Sequence, residues 1–200
     1  MITYGTVILG CWVLYLLVWA VSAFNVKRDI RGGSGNIWQQ FWLLRLVVAA
    51  ILLLFVAARI ATGTAHFTNS RLIFSRVIFP QSTVIGWADA ALSVIGVSFA
   101  IWARVHLGRN WSPRPTAKEN HELVTTGPYA YVRHPIYTGL LLMAFGIALT
   151  GSIWGIGVFI FAILLFISRI GREEKIMLEL FPEAYPMYQV RTKKLIPWVW

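Results

Sequence analysis

The sequence predicts an all-α, polytopic integral membrane protein of about five transmembrane helices, and three observations carry that prediction. First, the 200-residue chain is 58% hydrophobic and only 13% charged, where a soluble domain carries about 25% charge. Lipid must therefore replace water over much of its surface. Second, the apolar residues form continuous runs of about twenty residues, enough to cross a bilayer core as a helix. They do not form the alternating ten-residue segments of a barrel, the other structure that satisfies every backbone group in lipid. Third, the basic residues fall very unequally between those runs.

The runs justify the elements in order. Residues 2–24 form the first. Val21-Ser22-Ala23 looks like a signal-peptidase site, but no Lys or Arg precedes the run and it exceeds a signal core, so it is read as an uncleaved span. It holds the single cysteine, Cys11, a small apolar residue in this context. One cysteine excludes a disulfide framework or a zinc pattern. The linker Arg31-Gly32-Gly33-Ser34-Gly35-Asn36 leads to the second run, 37–61, where Arg45 is read as snorkelling to the boundary. Residues 83–105 form the third run, with Asp89 expected at its outer interface. Residues 136–150 and 152–168, joined by Thr150-Gly151-Ser152, read as a helical hairpin. Its first arm is only about 22 Å long at 1.5 Å per residue.

With the N-terminus outside, one side receives Lys27, Arg28, Arg31, Arg104, Arg109, Arg114, Lys118, Arg133, Arg169, Arg172, Lys175, Arg191, Lys193 and Lys194, and the other only Arg71 and Arg76. This asymmetry predicts that the loop after the third span and the C-terminal segment face the cytoplasm. The net charge of +10 is thus explained by topology and anionic lipid. No basic reading helix or solvated stripe suggests nucleic acid.

Two polar, aromatic, proline-punctuated stretches, 106–135 and 169–200, share the predicted cytoplasmic face, and a polar site is expected there. Ahead of the fourth span stands Asn120-His121-Glu122-Leu123-Val124-Thr125-Thr126-Gly127-Pro128-Tyr129-Ala130-Tyr131-Val132-Arg133-His134-Pro135-Ile136-Tyr137-Thr138-Gly139. Gly127-Pro128 predicts a turn, Tyr129 and Tyr131 suit an interfacial belt, and Pro135 is a favoured first helical residue. A helix start flanked by Arg133 and His134 reads as a prepared anion site. The bland alternative is headgroup anchoring by the same residues. After the fifth span, Arg169 and Glu173 are spaced i and i+4, so they can pair on one helix face. The four histidines lack metal-ligand spacing.

In this combination the chain resembles the isoprenylcysteine carboxyl methyltransferases and their relatives among the phospholipid N-methyltransferases. The resemblance rests on His121-x-Leu123-Val124-x-x-Gly127-x-Tyr129, then Arg133-His134-Pro135-x-Tyr137-x-Gly139, then Arg169 with Glu173-Glu174, and covers roughly residues 100–195. It implies a division into residues 1–105, the first three spans, and 106–200, a methyltransferase region. There the loop before the fourth span and the C-terminal segment would form a cytoplasmic cofactor site. It implies S-adenosylmethionine as cofactor, held by His121, Glu122, Leu123, Val124, Tyr129, His134, Pro135, Ile136, Tyr137 and Glu173. Arg169 falls on the substrate side and, with Glu173, is the implied catalytic pair. A cofactor-contacting glutamine of some members is replaced here by Arg114.

The residue types suit that chemistry. A donor with a sulfonium, an ammonium, a carboxylate and an adenine needs an anion-binding end, carboxylates and aromatic walls. An acceptor carboxylate, already ionised, needs no general base, whereas an amine or thiol would, with Glu173, Glu174 or His121 as candidates. The leading expectation is methyl transfer to a lipophilic, membrane-borne acceptor, foremost an isoprenylcysteine carboxylate. The alternatives are a phospholipid amine, a small thiol, or a non-catalytic basic module binding anionic membrane lipid. A nicotinamide-dependent reductase lacks the glycine-rich fingerprint.

Overall fold

The computed structural model describes residues 3–22, 78, 82–111, 122–197 and 199. All of these belong to one compact unit, residues 1–30 with 74–200. The expected span at 37–61, with its linker and Arg45, lies outside the described residues, as do Arg114 and His121.

The described residues contain five α-helices: α1 (Tyr4–Ser22), α2 (Thr83–Leu107), α3 (Pro135–Leu149), α4 (Ile153–Leu180) and α5 (Ala184–Arg191). Their limits follow from local chemistry. Ser82 and Ser152 cap α2 and α4, their hydroxyls accepting from the amides of Ile85 and Gly155. Such caps satisfy donors that a helix start leaves unpaired. Pro135 opens α3, where its missing N–H costs nothing. Gly108, at φ +54°, ends α2 in a conformation that disfavours side chains.

Tyr4–Ser22, Thr83–Asn110 and Ile153–Leu180 are long and apolar enough to cross a membrane, and Pro135–Leu149 is a shorter apolar helix. The protein is an integral membrane protein built from helices, as its composition requires. The core lies where α2 meets α3. A Cβ on Gly96 would stand 2.5 Å from the carbonyl oxygen of Gly139, and one on Gly139 would strike Gly96 in return. Small residues of this kind let helix backbones approach closely in lipid, where no hydrophobic drive pulls helices together. Cys11 joins Val97 and Met143 in the buried cluster that adds α1 to this pair.

Three differences from the sequence reading are informative. The last span does not stop at residue 168, because α4 continues through Leu180. At 1.5 Å per residue its 28 residues exceed a bilayer core of about 30 Å, so its final turns project beyond it. Those turns stay helical because Phe166, Ile170 and Glu174 form one buried face at helical spacing. Asp89, expected at an interface, is 2% exposed. Its carboxylate accepts from Ser93 at 3.2 Å and packs on Gly146. Arg104, counted only as a cytoplasmic charge, is buried, donating to the carbonyls of Ser22 and Gly108 at 2.8 Å each, with its guanidinium 4.4 Å over the Trp111 ring. It therefore joins the C-terminal ends of α1 and α2, the negative ends of their dipoles.

The Ile78 amide donates to the Gly151 carbonyl at 2.9 Å, so the approach to α2 lies beside the α3–α4 turn. The start of α3 and the far half of α4 meet at the opposite end of the bundle.

Candidate active site

The site is assembled by four short pieces of chain. Gly127–Ala130 forms a 3-10 turn, and Gly127 needs its positive φ of 59°, since a Cβ there would also strike the His106 ring. His106 in turn bonds the Thr126 hydroxyl at 2.8 Å. The chain then enters α3, whose first turns carry Tyr137 and Thr138. The projecting turns of α4 supply Arg169, Glu173 and Glu174. Residues 192–195 close over them: Val132 and Lys193 form an isolated parallel bridge, and the amides of Arg133 and His134 donate to the carbonyls of Lys193 and Lys194 at 2.8 and 3.0 Å. The Thr138 hydroxyl donates to the Leu195 carbonyl at 2.7 Å.

At the centre is Glu173. The Tyr137 hydroxyl donates to its Oε1 at 2.6 Å, Arg169 donates to the same oxygen at 3.3 Å, and His134 Nδ1 lies 3.6 Å from Oε2. Glu174 faces the other way. It accepts from Arg133 Nε at 2.9 Å and lies 3.5 Å from His134 Nε2 and 3.6 Å from Lys194. His134 therefore stands between two carboxylates. Burial works against its charge, but the contacts to Glu173 and Glu174 outweigh burial and hold the imidazole above its ordinary pKa. The Tyr137 ring stacks between His134 and Phe166, with centroids 5.7 and 4.5 Å away.

Tyr129 is buried, its carbonyl accepting from the Tyr188 hydroxyl at 2.6 Å. Burial, reinforced by the neighbouring Tyr188 and Glu173, pushes its phenol well above the ordinary range. The Tyr188 phenol is raised by burial to about 12. Both are neutral at physiological pH and serve as hydrogen-bonding and packing groups.

The structure thus gathers His134, Tyr137, Arg169 and Glu173, with Tyr129 within electrostatic reach. Pro135 is buried and Ile136 half-buried in the first turn of α3. Leu123 and Val124 are half-buried, and Glu122 exposed, on the stretch leading to the 3-10 turn. The reading of Arg133 and His134 as open anion donors is changed by the geometry. Arg133 is committed to Glu174 and to the carbonyls of Gln189 and Thr192, and His134 to the two carboxylates. Phe166 was missed, although its spacing of three and seven residues to Arg169 and Glu173 puts all three along one helix face. Among the described residues no group of three or more His, Cys, Asp or Glu side chains could hold a metal ion.

Comparison with known proteins bears on the same segment. The family described as isoprenylcysteine carboxyl methyltransferase matches residues 90–179. A protein-S-isoprenylcysteine O-methyltransferase of Schizosaccharomyces pombe is 36% identical over 101 residues, 48% of this chain and 42% of that protein. A cobalt-zinc-cadmium resistance protein of Cupriavidus metallidurans is 26% identical over 155 residues, 76% of this chain and 63% of its own. The solved structure of a eukaryotic intramembrane Ras methyltransferase superposes with a TM-score of 0.51 at 25% identity, covering 58% of this chain and 46% of that one. The chain therefore spans about half the length of the methyltransferases it matches.

Proposed function

We propose that this chain, whose residues 90–179 match the isoprenylcysteine carboxyl methyltransferase family, is an S-adenosylmethionine-dependent methyltransferase acting on a lipophilic acceptor, foremost the carboxylate of an isoprenylcysteine. The observation that carries the reading is the part-buried cluster where the start of α3 meets the far half of α4: Glu173 held by Tyr137, Arg169 and His134, beside the stacked rings of Tyr137 and Phe166. The donor set suits the cofactor. The half-buried Glu173 carboxylate would meet an ammonium or sulfonium, and the neighbouring aromatic and apolar side chains would wall an adenine. Bound there, S-adenosylmethionine would supply a methyl group on a positively charged sulfur.

The residues have separable tasks. Arg169, about one-fifth exposed, carries a planar guanidinium whose geometry matches a carboxylate. It orients an acceptor carboxylate arriving from the bilayer side. No proton need be removed from such an acceptor, so positioning and exclusion of water dominate the rate. Glu173 holds the donor's cationic end, and Tyr137 keeps that carboxylate in place. Residues 192–195 shield the cluster from water, with Lys194 contributing to the balance of charge at Glu174. The cytoplasm is the proposed side, on the strength of the Lys and Arg asymmetry.

A second reading keeps the same donor with a phospholipid amine or small thiol as acceptor, which would need a base for its proton, a task open to Glu173 beside His134. One experiment separates them. Purified protein receives methyl-labelled S-adenosylmethionine and a farnesylated cysteine analogue, and label released as methanol by mild base is counted. Base-labile label means a methyl ester. Donor binding without it moves the acceptor to nitrogen or sulfur, and absence of donor binding sinks the methyltransferase proposal.

A further inference from the structure

We infer that the outward surface of α5 and the segment after it, formed by Met187, Val190, Arg191, Lys193, Ile196 and Val199, docks onto the headgroup layer of anionic membrane lipid. α5 turns Tyr185 and Tyr188 into the fold, while Met187 and Val190, three residues apart, are 59% and 87% exposed. Past the helix the pattern repeats: Leu195 is buried, whereas Ile196 and Val199 are 52% and 71% exposed. In a protein already seated in a bilayer, the solvent that fits such side chains is lipid.

The direction of the chain locates that contact. The bridge between Val132 and Lys193 is parallel, so residues 193–195 run the same way as residues 132–134, which lead directly into apolar α3. The bond from Thr138 to the Leu195 carbonyl keeps the two strands of chain together into the first turn of that helix. Ile196 and Val199 therefore follow the chain toward the bilayer, and Arg191 and Lys193 precede them on the aqueous side. Exposed apolar side chains interleaved with cations suit a segment lying in a membrane interface. A shallow hollow lined by Ala130, Tyr131, Arg191, Lys193 and Pro197 gives a phosphate a place between the two cations. The charge commits the surface to anionic lipid over a zwitterionic one, since each basic side chain near such a leaflet contributes roughly a fivefold factor in partitioning.

Lipid contact of this kind is independent of methyl transfer, and its test does not use it. The full chain carrying Cys11→Ser and Val199→Cys is labelled with a fluorophore and placed singly in nanodiscs whose acyl chains are brominated near the headgroup. Strong quenching in phosphatidylglycerol discs is expected, with several-fold less in phosphatidylcholine discs. Arg191→Gln with Lys193→Gln should bring the first down to the second while the protein stays monodisperse. Absence of quenching in both discs overturns the inference, as does equal quenching that ignores the charge change. Release of the probe by millimolar inorganic phosphate would assign the hollow to a free anion instead. Shielding that appears only with two copies per disc would assign the surface to a second copy of the chain.

Discussion

At the scale of single residues, the site turns on one carboxylate with three partners and one imidazole with two. Arg169 shares Glu173 Oε1 with Tyr137, so losing the guanidinium leaves Glu173 still held by Tyr137 and His134. Arg169→Ala is therefore expected to keep S-adenosylmethionine binding within a few-fold and to lower turnover on the farnesylated analogue by about two orders of magnitude, the scale of a lost positioning contact. Unchanged turnover would remove Arg169 from the acceptor side. His134 gives a pH signature with a definite sign. Its folded pKa is raised by Glu173 and Glu174, so its contribution to stability is fully present below the ordinary value of 6.5 and is lost as pH rises through the folded value. The unfolding temperature in detergent should fall on going from neutral to mildly alkaline pH, and His134→Gln should flatten that slope. A slope that survives the substitution would show that another group titrates.

Among the helices and segments, the most consequential contact is Arg133, which ties the start of α3 to α4 through Glu174 and to the end of α5 through the carbonyls of Gln189 and Thr192. The pair is nearly dry, with side-chain exposures of 8% and 11%. Losing the Arg133 contact removes a charge-assisted hydrogen bond at a cost of about 1.5–3 kcal/mol, because Glu174 keeps His134 and Lys194 beside it. Arg133→Ala should lower stability by that much and free residues 192–195, read as faster amide exchange at Arg133 and His134, whose bonds to that segment would open. Stability loss without faster exchange there would mean that the backbone bonds to Lys193 and Lys194 and the Thr138 hydroxyl hold the segment without Arg133. Much of this level was legible in the sequence. The apolar runs marked α1 to α4, Pro135 marked a helix start, and the spacing of Arg169 and Glu173 placed them on one face. The extent of α4 to Leu180 was not legible, because the apolar run ends at residue 168 and what sustains the later turns is a buried face shared with α3 and the closing segment. The parallel pairing of 193 with 132 left no local signal, since a single bridge between distant residues has no periodicity to read.

For the whole molecule, the arrangement divides into two ends, and the orientation proposed for those ends in the membrane rests on charge. The Ile78 amide bonds the Gly151 carbonyl, putting the approach to α2 and the α3–α4 turn together, the sparsely basic side of the chain. Arg133, Arg169, Arg172, Lys175, Arg191, Lys193 and Lys194 all fall at the other end, on or beside the site. Retention of such residues in the cytoplasm orients a multispan protein, and the proposed donor, S-adenosylmethionine, being charged and water-soluble, would reach the site from the compartment that contains it. In intact cells expressing the Cys11→Ser chain, a membrane-impermeant maleimide should label Ile78→Cys, which is 58% exposed. It should leave Glu179→Cys, exposed on the projecting part of α4, unlabelled until the membrane is opened. The reverse pattern would place the cluster outside. The positive-inside argument would then fail for this chain, and with it the access of a cytoplasmic methyl donor to Glu173.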